Sequence, residues 1–265
     1  MGRRGAHAQA WGTRVSGGVL YRPGDSPVHR IPPQVKLLAA FAAVLGVVAT
    51  PREAFWAFGI DLFVVLAVWS VAGVPVGWFA RRAVIEAPFV LLAVVLPFVS
   101  GGPRVDVLGV AVSQDGLLAG WNILAKGTLG VLIALTLAAT TQPRDLVLGL
   151  QRLRAPAWFV TIATLMLRYV DVIAGELRRT RIARISRGDD PRFLWQAGAV
   201  ARGAGTLFLR SYERGERVHR AMLARGWAGH MPAGPAAPVG ALRWVAGGSP
   251  ALVIATAWAV AAWPV

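Results

Sequence analysis

The chain has 265 residues and a net charge of +15; hydrophobic residues make up 55% of it and charged residues only 15%. A water-soluble domain could not bury this much apolar surface, so the composition excludes an ordinary soluble protein and indicates an integral membrane protein. The positive residues must lie outside the membrane spans, because charge is costly inside hydrocarbon. The absence of cysteine excludes disulfides, thiolate catalysis and cysteine-ligated metals.

Five apolar runs are candidates for membrane helices. They follow residues 1–28, a Gly- and Arg-rich segment whose composition predicts a disordered tail. The predicted spans are residues 35–49, 54–74, 83–99 and 117–139 within a membrane bundle of residues 29–142, and a C-terminal transmembrane helix in residues 242–265. The first is short, since crossing ~30 Å of hydrocarbon takes about 20 helical residues. The sequence therefore predicts an all-α integral membrane protein with about five transmembrane helices.

The charges between these runs predict the orientation of the chain. If the N-terminus is cytoplasmic, the inner side holds the Arg81-Arg82 pair and all of residues 143–241. Each outer loop then pairs one arginine with one acidic residue. The positive-inside rule favours this arrangement. We therefore expect a multi-pass protein of the cell membrane (inner or plasma membrane), with the N-terminus and residues 143–241 in the cytoplasm.

Residues 143–241 contain sixteen arginines and seven acidic residues but remain rich in large apolar residues. Apolar residues at three- and four-residue spacing predict two long amphipathic helices. The first begins at Pro156, a position that tolerates proline, and stops at Gly188. The second follows Asp189-Asp190-Pro191 and ends at Gly226. Both are too charged in their C-terminal halves to span a membrane, so we expect them at or under its cytoplasmic surface.

The two predicted helices end alike. Residues 183–188 and residues 221–226 both have the pattern Ala-x-x-x-Arg-Gly. Helix capping alone favours a glycine past the end and an arginine in the last turn, so one such end would carry no functional information. Two ends in the same register favour docking, in which apolar side chains adhere and a guanidinium binds a carboxylate of the partner. Two similar ends fit a partner with two similar grooves, a dimer or a pair of homologous subunits.

Residues 207–232, and above all Arg210–Val218, resemble the transmembrane (T) component of energy-coupling factor (ECF) transporters, with the cobalt-type CbiQ branch the nearest match. The segment from Ser26 to Leu38, which leads into the first span, and the Thr140-Thr141 pair are similar to the same family. The resemblance covers roughly residues 26–265. One departure is Gly215, a poor helix former in the middle of a predicted helix.

This resemblance implies long cytoplasmic coupling helices and a non-catalytic coupling subunit of an ABC-type importer. Two ABC ATPase subunits would bind ATP, so the chain itself would need no cofactor, and motion would pass to a substrate-binding membrane (S) subunit. The residues implied to dock onto the ATPases are Ala183, Arg187, Gly188, Ala221, Arg225 and Gly226, with Arg184, Met222, Glu213 and Arg217 as supporting interface residues. The expected substrate is cobalt, with a nickel or vitamin S subunit as the alternative.

No catalytic or metal-binding residues are predicted. The nearest approach to a nucleotide-binding loop, Gly120 to Lys126-Gly127, lacks the second glycine and the hydroxyl residue. The four histidines have no metal-ligand spacing. Asp61, Glu86 and Lys126 lie within spans and are candidates for function on that ground. An ion pair with Arg82 is the simpler explanation of Glu86.

Two other classes of function remain as alternatives. A stand-alone secondary transporter or channel would be expected to contain inverted repeats or broken helices around midplane polar groups, and we find neither pattern. A nucleic-acid or anionic-lipid platform would concentrate its arginines in a solvated patch. Here the arginines are interleaved with acidic and apolar residues, so we expect the lipid bilayer and the transporter subunits as partners, and no nucleic acid.

Overall fold

The computed structural model describes residues 20–75, 77–78, 83–107, 110–188, 197–231 and 240–262. These residues are mostly helical, which confirms the all-α prediction; one short hairpin is added to it. In chain order the elements are α1 (Pro33–Ala49), α2 (Phe55–Ala72), a 3-10 turn (Ala83–Glu86), α3 (Ala87–Val99), β1 (Arg104–Val107), β2 (Val110–Ser113), α4 (Gln114–Thr140), α5 (Pro143–Arg152), α6 (Ala157–Ile185), α7 (Ala197–Ala224) and α8 (Ala241–Ala262).

The helices fall into two compact units. One consists of Gly18–Gly149 with Ala237–Val265, and the other contains Leu150–Ala236. We refer to them as the bundle unit and the helical-pair unit. The first contains α1 to α4, α8 and α5 up to Gly149, whereas the last three residues of α5, with α6 and α7, belong to the second.

Within the described ranges, four helices, α2, α4, α6 and α8, are long and apolar enough to cross a membrane. Helix α1 and the segment Val84–Val99 are apolar but shorter. These lengths and compositions confirm an integral membrane protein. Helix α6 is among these four, and the sequence interpretation assigned it to the cytoplasmic domain. Its N-terminal part is apolar and its arginines concentrate near its C-terminus, so its position relative to the membrane stays a prediction.

The core of the bundle unit lies where α1, α2, α4 and α8 meet. Its buried side chains are Ala43, Val47, Phe58, Val65, Leu129, Leu132, Ile133, Ala251 and Ile254. Large apolar side chains also point outwards, and Phe41 and Phe63 are 64% and 74% exposed. Such surfaces are solvated by lipid in a membrane helix bundle. The bundle is therefore apolar both inside and outside.

Helices α3 and α4 approach closely through two glycines. A Cβ on Gly116 would lie 2.7 Å from the Leu96 carbonyl oxygen, and one on Gly120 would lie 2.7 Å from that of Ala93. The two glycines are four positions apart, which places them on one helix face. This is the small-xxx-small arrangement by which membrane helices pack backbone to backbone.

Lys36 joins the start of α1 to the end of α4. Its Nζ atom donates to the Thr140 carbonyl oxygen at 2.9 Å and to Thr141 Oγ1 and the His29 carbonyl oxygen, both at 3.3 Å. A lysine at this position satisfies carbonyl groups that a helix end leaves free. Nearby, the Arg22 backbone N–H donates to the Ala139 carbonyl oxygen at 2.9 Å. Arg22 lies within residues 1–28, the segment that the sequence predicts to be a disordered tail.

Two elements were not anticipated from the sequence. Strands β1 and β2 pair antiparallel, from Arg104 with Ser113 to Val107 with Val110, in a region interpreted as a loop. The Ser113 side chain then caps α4 by accepting from the Gly116 N–H at 3.3 Å. The second unanticipated element is α5, which begins at Pro143, two residues after Thr141.

Candidate docking site for partner subunits

Helices α6 and α7 run antiparallel. Glu176 of α6 binds Arg214 of α7, with 2.9 Å between Oε2 and Nη2. Arg184 lies further along α6, yet its guanidinium approaches Gly203, which precedes Arg214 on α7 by eleven positions. Residue numbers therefore increase along α6 in the direction in which they decrease along α7. The C-terminal ends of the two helices consequently lie at opposite ends of the pair.

Glu176 is a polar link between the two helices. Its side chain is 12% exposed and also lies 3.6 Å from Arg210. One carboxylate is thus shared by two guanidinium groups, and the contact with Arg214 is short enough for a charge-assisted hydrogen bond. Removing Glu176 would deprive both guanidinium groups of this carboxylate. The ion pair fixes the register of α6 against α7.

The end of α7 is a Schellman motif. Gly226 has a φ of +77°, and its N–H donates to the Leu223 carbonyl oxygen at 2.9 Å. The Trp227 N–H donates to the Met222 carbonyl oxygen at 3.0 Å. This bond pattern places Gly226 just past the helix, with Arg225 as the capping residue.

The end of α6 has the same local geometry at the matching positions. Gly188 has a φ of +79°, and its N–H donates to the Ile185 carbonyl oxygen at 3.0 Å. Helix α6 ends at Ile185 with Ser186 at its C-cap, and Arg187 lies in the following turn, where its N–H donates to the Arg184 carbonyl oxygen at 2.9 Å. The pattern shared by the two sequences therefore corresponds to a shared backbone conformation, with alanine, arginine and glycine exposed at both ends.

The arginines at the two ends are both exposed. Within the residues that the structure describes, neither Arg187 nor Arg225 has an ion pair or a side-chain hydrogen bond. Elsewhere on α7, Arg220 lies 2.8 Å from Glu216. The two end arginines are thus exposed cations that can bind a carboxylate of another subunit.

The predicted supporting residues have mixed surroundings. Arg184 and Met222 are half-buried, and Met222 contributes its carbonyl oxygen to the Schellman motif. Glu213 and Arg217 are exposed and 3.8 Å apart. The structure groups Ala183, Arg184, Arg187 and Gly188 at one end of the pair. Glu213, Arg217, Ala221, Met222, Arg225 and Gly226 lie on the half of α7 that leads to the other end.

The two ends are symmetrically placed about the Glu176–Arg214 ion pair. Arg187 follows Glu176 by eleven positions, and Arg225 follows Arg214 by eleven positions. At 1.5 Å per residue each end lies about 16 Å along its helix from the ion pair. An approximate two-fold axis through this ion pair would exchange the two ends. The two ends are recognisable in the sequence, whereas the Glu176–Arg214 pair is not, because it joins two different helices.

The charges within the predicted spans have different surroundings. Asp61 is fully buried, and neither of its carboxyl oxygens has a hydrogen-bond partner among the described residues. Glu86 accepts from Thr128 Oγ1 at 3.5 Å; its expected partner, Arg82, lies outside the described residues. Lys126 Nζ donates to the Val48 carbonyl oxygen at 2.7 Å. In the described part of the chain, no group of three or more metal-binding side chains is found.

Comparison with known proteins decides the family. The family model described as "Cobalt transport protein" (CbiQ) matches residues 24–233. The chain belongs to the EcfT/CbiQ family. It is 31% identical to the energy-coupling factor transporter transmembrane protein EcfT of Bacillus selenitireducens, over 79% of this chain and 82% of that protein. It is 29% identical to the cobalt transport protein CbiQ of Rhodobacter capsulatus, over 60% of this chain and 64% of the relative.

These relatives confirm the resemblance to the T component of ECF transporters that the sequence indicated. Their names describe transport components rather than enzymes, and EcfT is by its name the transmembrane protein of a transporter. The chain is accordingly a membrane component of a multi-subunit ECF-type transporter, in agreement with its apolar helices. The match covers α6, α7 and both of their C-terminal ends.

Proposed function

We propose that this T component couples two ABC ATPase subunits to a substrate-binding membrane subunit by docking one end of the helical pair onto each ATPase. The observation that carries the proposal is the pair of matching ends, each eleven positions beyond the Glu176–Arg214 ion pair. Two equivalent ATPases related by a two-fold axis present two equivalent grooves. The pair offers them two equivalent ends, each with an exposed arginine and a neighbouring alanine that leaves room for close approach.

In this mechanism the arginines hold the contact and the helices transmit the motion. A guanidinium can bind a carboxylate in the ATPase groove in a bidentate manner, which fixes the register of the helix end. When the two ATPases move together on binding ATP, the two docked ends move with them. The Glu176–Arg214 ion pair keeps α6 and α7 in register. The two helices therefore move together and pass the motion to the substrate-binding subunit, instead of sliding along each other.

We propose cobalt as the substrate of the assembled transporter, because the matching family model and the Rhodobacter capsulatus relative are both described as cobalt transport proteins. Substrate recognition would belong to the separate S subunit. Uptake measurements test this assignment. Cells that express the complete transporter would be given radioactive cobalt, radioactive nickel or a labelled vitamin. Cobalt should accumulate most, and accumulation of the vitamin without either metal would contradict it.

Charge reversal at both ends tests the coupling role. We expect Arg187→Glu with Arg225→Glu to repel the carboxylate that each arginine binds. The variant should remain in the membrane but lose its ATPase subunits on purification and lose uptake. Arg181→Glu with Arg202→Glu is the matched control, since both residues are exposed on the same helices outside the two ends.

Both double variants change the net charge by the same amount, so a general loss of positive charge would affect them equally. Normal assembly and normal uptake by the Arg187/Arg225 variant would show that the two ends are not the coupling contacts. Equal loss in both variants would indicate a non-specific electrostatic effect and would also contradict the proposal.

A further inference from the structure

A cavity of about 300 Å³ separates α6 from α7. Its walls are mainly apolar, and the apolar side chains that line it include Leu165, Met166, Tyr169, Ile173, Val218 and Met222. On α6 the lining residues run from Thr161 to Ile173, which at 1.5 Å per residue is about 18 Å. The cavity is thus an elongated apolar space between the helices, next to the Glu176–Arg214 ion pair.

Three buried polar atoms that line this cavity have no hydrogen-bond partner among the residues that the structure describes. They are Arg214 Nη1, Thr161 Oγ1 and Trp227 Nε1. Thr161 is only 7% exposed. A hydroxyl and an indole N–H are neutral, and ordered water satisfies such groups. A guanidinium N–H in an apolar cavity is different, because a buried cationic donor favours an anionic acceptor.

The local charge balance also favours an anion. Arg214 uses Nη2 to bind Glu176, but Glu176 is shared with Arg210. The acidic residues nearest to Arg214 in sequence have other partners: Glu213 lies 3.8 Å from Arg217, and Glu216 lies 2.8 Å from Arg220. Residues 150–188 and 197–231 together contain fourteen arginines and only four acidic residues. The cavity therefore has a positive end.

Gly215 keeps the cavity open. It is the glycine that departs from the expected helix formers in the middle of α7, where glycine costs about 1 kcal/mol relative to alanine. It lines the cavity, and a Cβ at this position would meet no atom within 4 Å. A larger side chain would fit here without a clash and would occupy the space. Gly215 is unfavourable for helix formation, but its missing side chain leaves space in the cavity beside Arg214.

The apolar surface around the cavity indicates where an amphiphile would come from. On α6, Trp158, Ile162 and Val170 are at least half exposed, at 65%, 50% and 55%. This stretch belongs to a helix with the composition of a membrane span. We propose that the cavity binds one anionic phospholipid. An acyl chain lies between α6 and α7, and a phosphate oxygen accepts from Arg214 Nη1.

Binding can be measured by native mass spectrometry of the full-length protein in detergent, titrated with dioctanoyl phosphatidylglycerol. Parallel titrations with dioctanoyl phosphatidylcholine and with inorganic phosphate separate the anionic lipid from a zwitterionic one and from a free anion. We expect one tightly bound phosphatidylglycerol, with weaker binding of the other two. Gly215→Leu, which fills the space in the cavity, and Arg214→Gln, which removes the charged donor, should each weaken it about tenfold.

Each variant has a matched control. Gly205→Leu makes the same change on α7 at a glycine that also has no atom within 4 Å but does not line the cavity. Arg210→Gln removes the other guanidinium beside Glu176, and Arg210 does not line the cavity either. Both controls should bind phosphatidylglycerol as the wild type does. Gly215→Leu retains every ion pair and improves helix propensity, so unfolding would not explain its loss of lipid.

Several results would overturn the lipid site. One is that Gly215→Leu binds phosphatidylglycerol as tightly as the wild type does. Another is that Arg210→Gln loses as much phosphatidylglycerol binding as Arg214→Gln. Equally tight binding of phosphatidylcholine or of phosphate alone would also count against an anionic lipid. If phosphatidylglycerol does not bind and Gly215→Leu instead loses a subunit from the assembled transporter, the cavity is a protein-docking groove and contains no lipid site.

Discussion

Gly188 and Gly226 adopt a backbone conformation that other residues disfavour. Their φ angles are +79° and +77°, and a Cβ at either position would meet no atom within 4 Å. Space is therefore available, and the restriction comes from the backbone itself. The left-handed conformation costs an L-residue about 1–2 kcal/mol, which glycine avoids.

We expect Gly188→Ala and Gly226→Ala each to destabilise the end of its helix by about 1 kcal/mol. Asparagine should be tolerated better than alanine, because it visits this conformation more readily. Retention of ATPase subunits during purification measures the effect at the site, and thermal unfolding in detergent measures it in the fold. Gly205→Ala, in the regular part of α7, should be neutral or slightly stabilising, and an equal loss there would refute the backbone argument.

The residues of the candidate site were predictable from the sequence only where the signal is local. The ends at Arg187 and Arg225 were predictable because the sequence pattern of a helix end consists of a few consecutive residues. The Glu176–Arg214 pair joins positions 38 apart in the sequence and depends on how α6 lies against α7. Its partners could not be chosen from among sixteen arginines by spacing alone. The contacts of Lys36 with Thr140 and Thr141 likewise depend on the folded bundle, since they join positions more than 100 apart in the sequence.

At the scale of elements, the packing of α3 on α4 depends on glycine. We expect Gly120→Ala to destabilise the bundle by about 1–3 kcal/mol, because its methyl group would displace the α3 backbone at Ala93. Gly130→Ala on the same helix meets no atom within 4 Å and should be neutral or stabilising. Thermal unfolding of both variants in one detergent checks the difference. Equal stability would contradict the close approach.

Long apolar elements were the most predictable from the sequence. Helix α2 lies within the apolar run 54–74, and α4 extends the run 117–139 at its N-terminal end. Hydropathy locates such helices because their signal is summed over many residues. The β1–β2 hairpin has four residues in each strand, too few for the same signal, and α5 has only ten residues. Helix α6 combines an apolar start with a charged end, so composition alone gives it two interpretations.

At the scale of the whole molecule, the apolar residues and the arginines are concentrated in different units. The bundle unit contains most of the apolar helices. The helical-pair unit carries fourteen arginines in its described residues, and its two ends are matched about one ion pair. The proposed function depends on this match, since two equivalent ends require two equivalent partners.

Cysteine cross-linking can show whether the two ends contact two different ATPase subunits, because the chain has no cysteine of its own. Ala183→Cys, Ala221→Cys and the double variant would be labelled with a photoreactive maleimide in the assembled transporter. Leu209→Cys, an exposed position between the two ends, serves as the control. We predict that each single variant cross-links to one ATPase subunit and that the double variant links to two. Cross-linking of neither position above the control, or of both positions to one ATPase subunit, would contradict the account.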